Sequence, residues 1–286
     1  MILNGLIVAN QIYEKLKIQI SQAKASPKLV VIIVGNDPAS QTYVKNKHTK
    51  AQSLGFTSSI INLPETINTQ ELINIISSLN NDTNTHGILV QLPLPKHIDT
   101  NKVILSINPS KDVDGIHPYN FGKLLMGEKG FIPCTPKGII SLLQFYNISV
   151  SGKHVAILGR SNIVGKPLFA KLIQKNSLGN ATVSLLHSLS KNVTEILKSA
   201  DIIVAAIGKP LYVDETMISK DTIIIDVGIN RIPDTSDKGY KIVGDVNFEK
   251  VKSICKAITP VPGGIGPLTI ASLLENTWES FLNHVS

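Results

Sequence analysis

The stretch HVAILGRSNIVGKPLFAKLIQ, residues 154–174, reads as a buried strand, a tight turn and the start of a helix. Its apolar run stops at Gly159, and a glycine at a strand end permits a turn that a Cβ would obstruct. The backbone N–H groups that open the following helix are free to meet an anion, and Arg160 adds a permanent positive charge beside them. The glycines depart from the dinucleotide fingerprint G-x-G-x-x-G, with Gly159, Ser161 and Gly165 in its place. Two readings of the turn stand at this point: a phosphate cradle, or a strand-to-helix connection that holds no ligand.

Downstream, three more β-rich runs follow at helix-length spacing: TVSLLH (182–187), ADIIVAAIG (200–208) and TIIIDVGIN (222–230). Strands separated by helices predict a parallel, doubly wound sheet of Rossmann-like type. An NAD site of that type places an acid at the end of the second strand to bind the ribose 2′-hydroxyl. Here that strand ends on His187 and Ser188 with no acid. Arg160 and Ser188 are suited to a 2′-phosphate instead, so the cofactor expected is NADP. His187, capping a strand, also has a purely structural reading, and Asp226 and Asp245 each end a strand-like run where they anchor a turn or serve the site.

Upstream, the alternation has a different punctuation. KLVVIIVG (28–35) and GILVQLPLP (87–95) are short runs suited to buried parallel strands, the second closed by prolines that cannot donate to a ladder. Asp37 and Pro38 form a helix start and Gly55 a stop, which puts Tyr43 and Lys47 one turn apart on a single helix. Lys45 and Lys50 crowd the same helix, and like charges nearby would help to keep Lys47 neutral. Taken alone, the pair also reads as an aromatic anchor and a lysine whose stem covers apolar surface. Gln91 interrupts an apolar strand, and a buried amide needs partners. Asp112 and Asp114 in KDVDG shape a turn or carry chemistry. In TPVPGGIGP (259–267) the glycines permit close approach of backbone to a ligand while the prolines stiffen the loop. GEKGFIPCTPK (127–137) reads as a loop, and the domain boundary is expected in or near residues 134–152.

Composition narrows the class. With 286 residues, 43% of them hydrophobic and 17% charged, the chain has material for two α/β domains, each with its own core. The formal charge of +7 fits an enzyme for anionic small molecules; the lysines are scattered, without a basic block interleaved with aromatics, so nucleic acid is not an expected partner. No apolar run reaches the roughly 18 residues needed to span a bilayer, so no membrane partner and a cytoplasmic location are expected. Cys134 and Cys255 lack metal-ligand spacing, no metal is expected, and both are read as free thiols.

A Tyr and a Lys four apart in a nucleotide-binding protein also occur in short-chain dehydrogenases, but there the glycine loop precedes the pair, whereas here Lys47 lies far ahead of Gly159. The ordered set VGNDPASQTYVKNK, GILVQLPLP, KDVDGIHP, PCTPKG, GRSNIVGKP, DVGINR, VGDV and TPVPGGIGPLT resembles the FolD family of bifunctional methylenetetrahydrofolate dehydrogenase and methenyltetrahydrofolate cyclohydrolase, over nearly the whole chain. The resemblance implies an α/β catalytic, folate-binding domain over 1–140, completed by a C-terminal helix 268–286, and a Rossmann-like NADP-binding domain over 141–267, with a cleft between them. It implies that Tyr43 stacks on the folate, Lys47 is catalytic, Gln91 orients it, Asp114 binds the pterin edge, and Pro262 and Gly263 approach the substrate. It further implies that Gly159, Arg160, Ser161, Ser188, Ile229 and Thr269 line the NADP site, that the partners are tetrahydrofolate derivatives, and that the protein is a homodimer in one-carbon metabolism and purine biosynthesis. Two departures from the family pattern stand out. Leu189 follows His187 and Ser188 where a basic residue is common, and the segment QKNSLGNATV before the second strand is longer than usual. Alternatives are another two-domain NADP-dependent oxidoreductase, of the shikimate or amino-acid dehydrogenase type, and a catalytically silent NADP-binding protein.

Overall fold

The computed structural model describes residues 1–235 and 239–285. The chain forms α1 (Gly5–Ser21), β1 (Lys28–Val34), α2 (Pro38–Ser53), β2 (Thr57–Leu63), α3 (Thr69–Asn81), β3 (Gly87–Val90), α4 (Thr100–Ser106), α5 (Pro118–Met126) and α6 (Cys134–Phe145). It continues with β4 (His154–Leu158), α7 (Gly165–Leu172), β5 (Thr182–Leu186), α8 (Val193–Ser199), β6 (Ile202–Ala205), β7 (Ile223–Asp226), β8 (Asn230–Pro233), β9 (Tyr240–Val243), α9 (Phe248–Val251), β10 (Ala257–Ile258) and α10 (Ile265–Val285). These residues fold into two compact units: 11–123 with 129–134 and 270–286, and 1–10 with 124–128 and 135–269.

The first unit is built on a parallel three-stranded sheet in the order β2-β1-β3. After Lys28 the central strand β1 is apolar and buried from Leu29 to Val34, because both of its faces are covered, as parallel sheets require. Ile32, Val34, Leu72, Ile76, Ile88 and Val103 form the core between the sheet and helices α3 and α4. Helix α2 starts as its sequence predicts: Asp37 caps it by accepting from Ser40 N at 2.8 Å, Pro38 occupies the first turn, and Gly55 just beyond its end has φ +93°. Helix α3 ends against the buried Lys111, whose Nζ donates to the carbonyls of Leu79, Asn80 and Asp82. That lysine satisfies acceptors which every helix C-terminus leaves open, so its burial has a structural cause.

The second unit carries the parallel sheet predicted from the four β-rich runs, extended by β10 to five strands in the order β10-β7-β6-β4-β5. Numbered within the unit the order is 2-1-3-4-5 read from the β5 edge, so the strand sequence reverses between β4 and β6. Open α/β sheets bind ligands beyond the carboxyl ends of the strands at such a reversal. The three-stranded sheet has its own reversal, between β1 and β3. Each unit therefore has one position where its topology favours a site.

Candidate functional site

In the three-stranded unit the reversal point is occupied by Lys47 and Gln91. Helix α2 buries Val44, Lys47 and Ala51 along one stripe that continues to Leu54 at its C-cap, so Lys47 takes a core position that an ordinary amphipathic helix would give to an apolar residue. Its Nζ donates to Gln91 Oε1 at 3.0 Å, and Gln91 Nε2 donates to Leu92 O at 2.7 Å, which fixes the amide by both ends. The ammonium also lies 4.4 Å from the centre of the Tyr43 ring, a cation–π contact. Burial lowers the pKa of Lys47 below the ordinary lysine value, opposed by the charge of Asp114 and a smaller contribution from Cys134. Desolvation is thus what favours the neutral amine. Lys45 is exposed, and Lys50 sits over the Tyr13 ring at 4.7 Å, so charge crowding on the helix is not the operative cause.

Asp114 is positioned by its neighbours in the loop. The fully buried Asp112 accepts from His117 N at 2.8 Å, Ile116 N at 3.2 Å and Asn120 Nδ2 at 2.8 Å, which closes the turn around Asp114. Gly115 follows at φ +72°, and a Cβ there would stand 2.7 Å from Pro133 N. From α10, Asn276 Nδ2 donates to Val113 O at 2.9 Å and to Ile132 O at 3.0 Å, tying the Asp114 loop to the segment that leads into α6. Asn276, on a buried helix face, was not anticipated; an amide in the middle of an apolar helical pattern was its only signal.

Burial raises Asp112 to about 7 against these hydrogen bonds, with the charge of Asp114 adding to the rise. A carboxyl whose folded pKa lies above its unfolded value contributes stability that is complete below the unfolded pKa and is lost as the pH rises through the folded one. Asp112 should therefore contribute a loss of stability between about pH 4 and pH 7, opposed by His86 and His117, whose pKa values burial lowers. An Asp112→Asn variant, whose side-chain oxygen still accepts from His117 and Asn120, should lose less over that window. Urea midpoints at pH 5 and pH 7.5 compare the two, and an identical pH dependence would count against the assignment. Asp226, raised to about 6 by burial, leaves part of the slope in both proteins.

In the five-stranded unit a cavity of about 370 Å³ opens at the carboxyl ends of β4, β5 and β6. It brings together Gly159, Arg160, Ser161 and Ser188, with His187, Lys209 and Tyr212 also on its walls. Gly159 has φ +112°, and a Cβ on it would stand 2.1 Å from Ala206 O, so only glycine allows β4 and the loop after β6 to close the cavity floor. The cradle has the size of a small-molecule site, about 300–1,000 Å³. Neither Asp nor Glu lines it, which suits a phosphorylated ribose. His187 holds the turn after β5, its Nδ1 accepting from Leu189 N and its backbone N–H donating to Ser190 Oγ. Asp226 and Asp245 anchor turns: Asp226 accepts from Gly228 N, Asp245 N and Val246 N, and Asp245 from Ile207 N, Gly208 N and Asn230 Nδ2.

Ile229 and Thr269 do not line this cavity. Thr269 lies in the first turns of α10, its Oγ1 3.3 Å from Thr135 Oγ1, and Ile229, just before β8, approaches the same helix start, where a Cβ on Gly266 would stand 3.9 Å from its Cδ1. Pro262 and Gly263 belong to the loop before α10; Gly263 has φ +103°, and its carbonyl accepts from Gly5 N and Leu6 N. Among the described residues there is no cluster of His, Cys, Asp and Glu able to hold a metal ion, and no helix is long and apolar enough to cross a membrane.

Comparison with known proteins finds one family over both parts of the chain. Residues 3–114 match the family model of the tetrahydrofolate dehydrogenase/cyclohydrolase catalytic domain, and residues 133–285 match that family's NAD(P)-binding domain. The bifunctional protein FolD of Chlamydia felis (strain Fe/C-56) is 57% identical over 98% of both chains. The crystal structure of the bifunctional FolD methylenetetrahydrofolate dehydrogenase/cyclohydrolase from Campylobacter jejuni is similar with a TM-score of 0.94 at 45% identity, covering 99% of each chain. The Trypanosoma brucei methylenetetrahydrofolate dehydrogenase-cyclohydrolase, complexed with NADP cofactor and inhibitor, gives 0.93 at 34% identity over 100% of this chain and 98% of its own.

Proposed function

The chain belongs to the tetrahydrofolate dehydrogenase/cyclohydrolase family, and from that premise we propose that it oxidises 5,10-methylenetetrahydrofolate to 5,10-methenyltetrahydrofolate with NADP and then hydrolyses the product to 10-formyltetrahydrofolate. The observation that carries the hydrolytic half is the buried Lys47, hydrogen-bonded to Gln91 and with its pKa lowered by desolvation. The five-stranded unit holds the cofactor and the three-stranded unit the folate. NADP, when bound, supplies the hydride acceptor.

The roles of this chain's residues follow from their chemistry. Tyr43 offers an aromatic face for the pterin and Asp114 a carboxylate for its hydrogen-bonding edge. Oxidation of a carbon between two nitrogens needs mainly positioning, because the electrons of the nitrogens stabilise the cation that forms. Hydrolysis needs proton transfers around an attacking water, and an amine whose pKa is lowered by burial gives up and retakes a proton more readily than an ordinary lysine. Gln91 orients Nζ for that purpose, its own amide fixed by Leu92 O. Pro262, Gly263, Ile229 and Thr269 are assigned to the ligand sites on family resemblance. The same resemblance supports a cytoplasmic homodimer that supplies one-carbon units for purine synthesis.

A spectrophotometric assay with methylenetetrahydrofolate tests the reading, with NADP and NAD compared and methenyl hydrolysis followed separately. Turnover with NADP above NAD and hydrolysis of the methenyl compound are the expected results. Arg160→Ala should weaken NADP far more than NAD, since a charge-assisted hydrogen bond is worth about 1.5–3 kcal/mol. Equal losses for the two cofactors would remove Arg160 from the 2′-phosphate.

A further inference from the structure

The cavity of the five-stranded unit carries a second cation that the sequence pattern did not single out. Lys209 follows β6 in the run AAIGKP, and together with Arg160 it supplies the positive charge on the cavity walls. The turn after β5 places no cation on those walls: Leu189 is 79% exposed with its N–H directed to His187 Nδ1, and neither it nor Lys191 lines the cavity. The Lys209 loop is built rather than loose. The buried carboxylate of Asp245 accepts from Ile207 N at 2.7 Å and Gly208 N at 2.9 Å, and Gly208 turns the chain at φ +66°. Tyr212 also lines the cavity, and the Lys209 ammonium lies over its ring, 5.6 Å from the centre, on a side chain that is otherwise exposed. The ammonium has no ion pair within salt-bridge distance among the described residues, leaving its charge for a ligand.

We propose that Lys209 is a specificity-determining residue for the 2′-phosphate of NADP, supplying from the β6 loop the charge that Leu189 does not supply from the β5 turn. The inference rests on the NADP reading of this cavity. A compact ammonium on a long stem acts on phosphate as a point charge, whereas Arg160 offers a directional fork. The two are complementary: Arg160 fixes the orientation of the phosphate, and Lys209 raises the affinity for its charge. Because the Lys209 contribution is electrostatic and solvent-accessible, it should weaken with added salt.

The test uses the whole chain and two probes that differ only in the group at issue, 2′,5′-ADP and 5′-AMP, titrated calorimetrically into the parent, Lys209→Gln and Lys209→Arg. The parent should bind 2′,5′-ADP more tightly. Lys209→Gln should lose about tenfold or more of that affinity, the range of a charge-assisted contact, with 5′-AMP changed less than about twofold. Lys209→Arg should keep most of the preference, and the salt dependence of 2′,5′-ADP binding should be shallower in Lys209→Gln. A parent that prefers 2′,5′-ADP and a Lys209→Gln variant with the same preference would overturn the inference and leave the NADP reading intact. A parent without preference would overturn both. Equal losses for both probes in Lys209→Gln would show a role in shaping the cavity and overturn the charge role.

Discussion

Lys47→Met should abolish hydrolysis of methenyltetrahydrofolate while a measurable part of the dehydrogenase activity survives. Methionine fills the buried stripe position between Val44 and Ala51 with an unbranched side chain of similar length, so the packing of α2 is retained. What is lost is the amine that Gln91 holds at 3.0 Å. A general acid–base group contributes about 10²–10⁴-fold, and the loss should fall on kcat of the hydrolytic step. The oxidative step draws mainly on placement of the two reactants, and Lys47 affects it only as one wall of the folate site. Stability should not fall greatly, because the folded state no longer desolvates an ammonium, although Gln91 Oε1 loses its partner. The urea midpoint of the variant, compared with that of the parent, controls for folding of the unit that carries Lys47. A folded variant that hydrolyses the methenyl compound at close to the parent rate would show that Lys47 is not the proton carrier.

How far the sequence reached depended on whether the signal was local. The β-rich runs at 154–158, 182–186, 202–205 and 223–226 are short, apolar and evenly spaced, and all four are strands of one parallel sheet. Helix α2 was legible from Asp37, Pro38 and Gly55 because caps and breakers act within a turn of their own position. The fifth strand, Ala257–Ile258, has two residues and no periodicity to detect; it exists because β7 offers it a ladder and Ile258 pairs with the N-terminal segment. Within the site, Tyr43, Lys47 and Gln91 were legible as polar residues in places that favour apolar ones. The cause of the lowered pKa at Lys47 was not, since charge crowding can be read from neighbours in sequence but burial depends on β1 and β2 packing against the helix. Lys209 and Asn276 were missed for the same reason: one is an ordinary exposed lysine and the other an ordinary helical amide until the loops they serve are in place.

Asp245→Ala should unfold at a lower urea concentration than the parent and lose affinity for 2′,5′-ADP in its folded fraction. The carboxylate of Asp245 is fully buried, and three donors converge on it: Ile207 N, Gly208 N and Asn230 Nδ2, at 2.7, 2.9 and 2.9 Å. A Cβ on Gly228 would come within 2.4 Å of its Oδ1, so the site is closely packed on that side. Each hydrogen bond to a charged acceptor is worth about 1.5–3 kcal/mol, and removing the acceptor leaves the donors to water where they can reach it. The solvent-facing Gly208 recovers part of the loss, so about 3 kcal/mol is expected rather than the full sum. The loop released is the one that forms the cavity wall beside Gly159 and carries Lys209, which couples the loss of stability to the loss of ligand. Asp245→Asn separates the two causes. Its side-chain oxygen can still accept from Ile207 and Gly208, while its amide faces Asn230, whose own amide can turn to present oxygen. The asparagine variant should therefore restore most of the ligand affinity even if part of the stability stays lost. If alanine at this position unfolds at the parent's urea midpoint and binds 2′,5′-ADP as tightly, the loop is held by something other than this carboxylate.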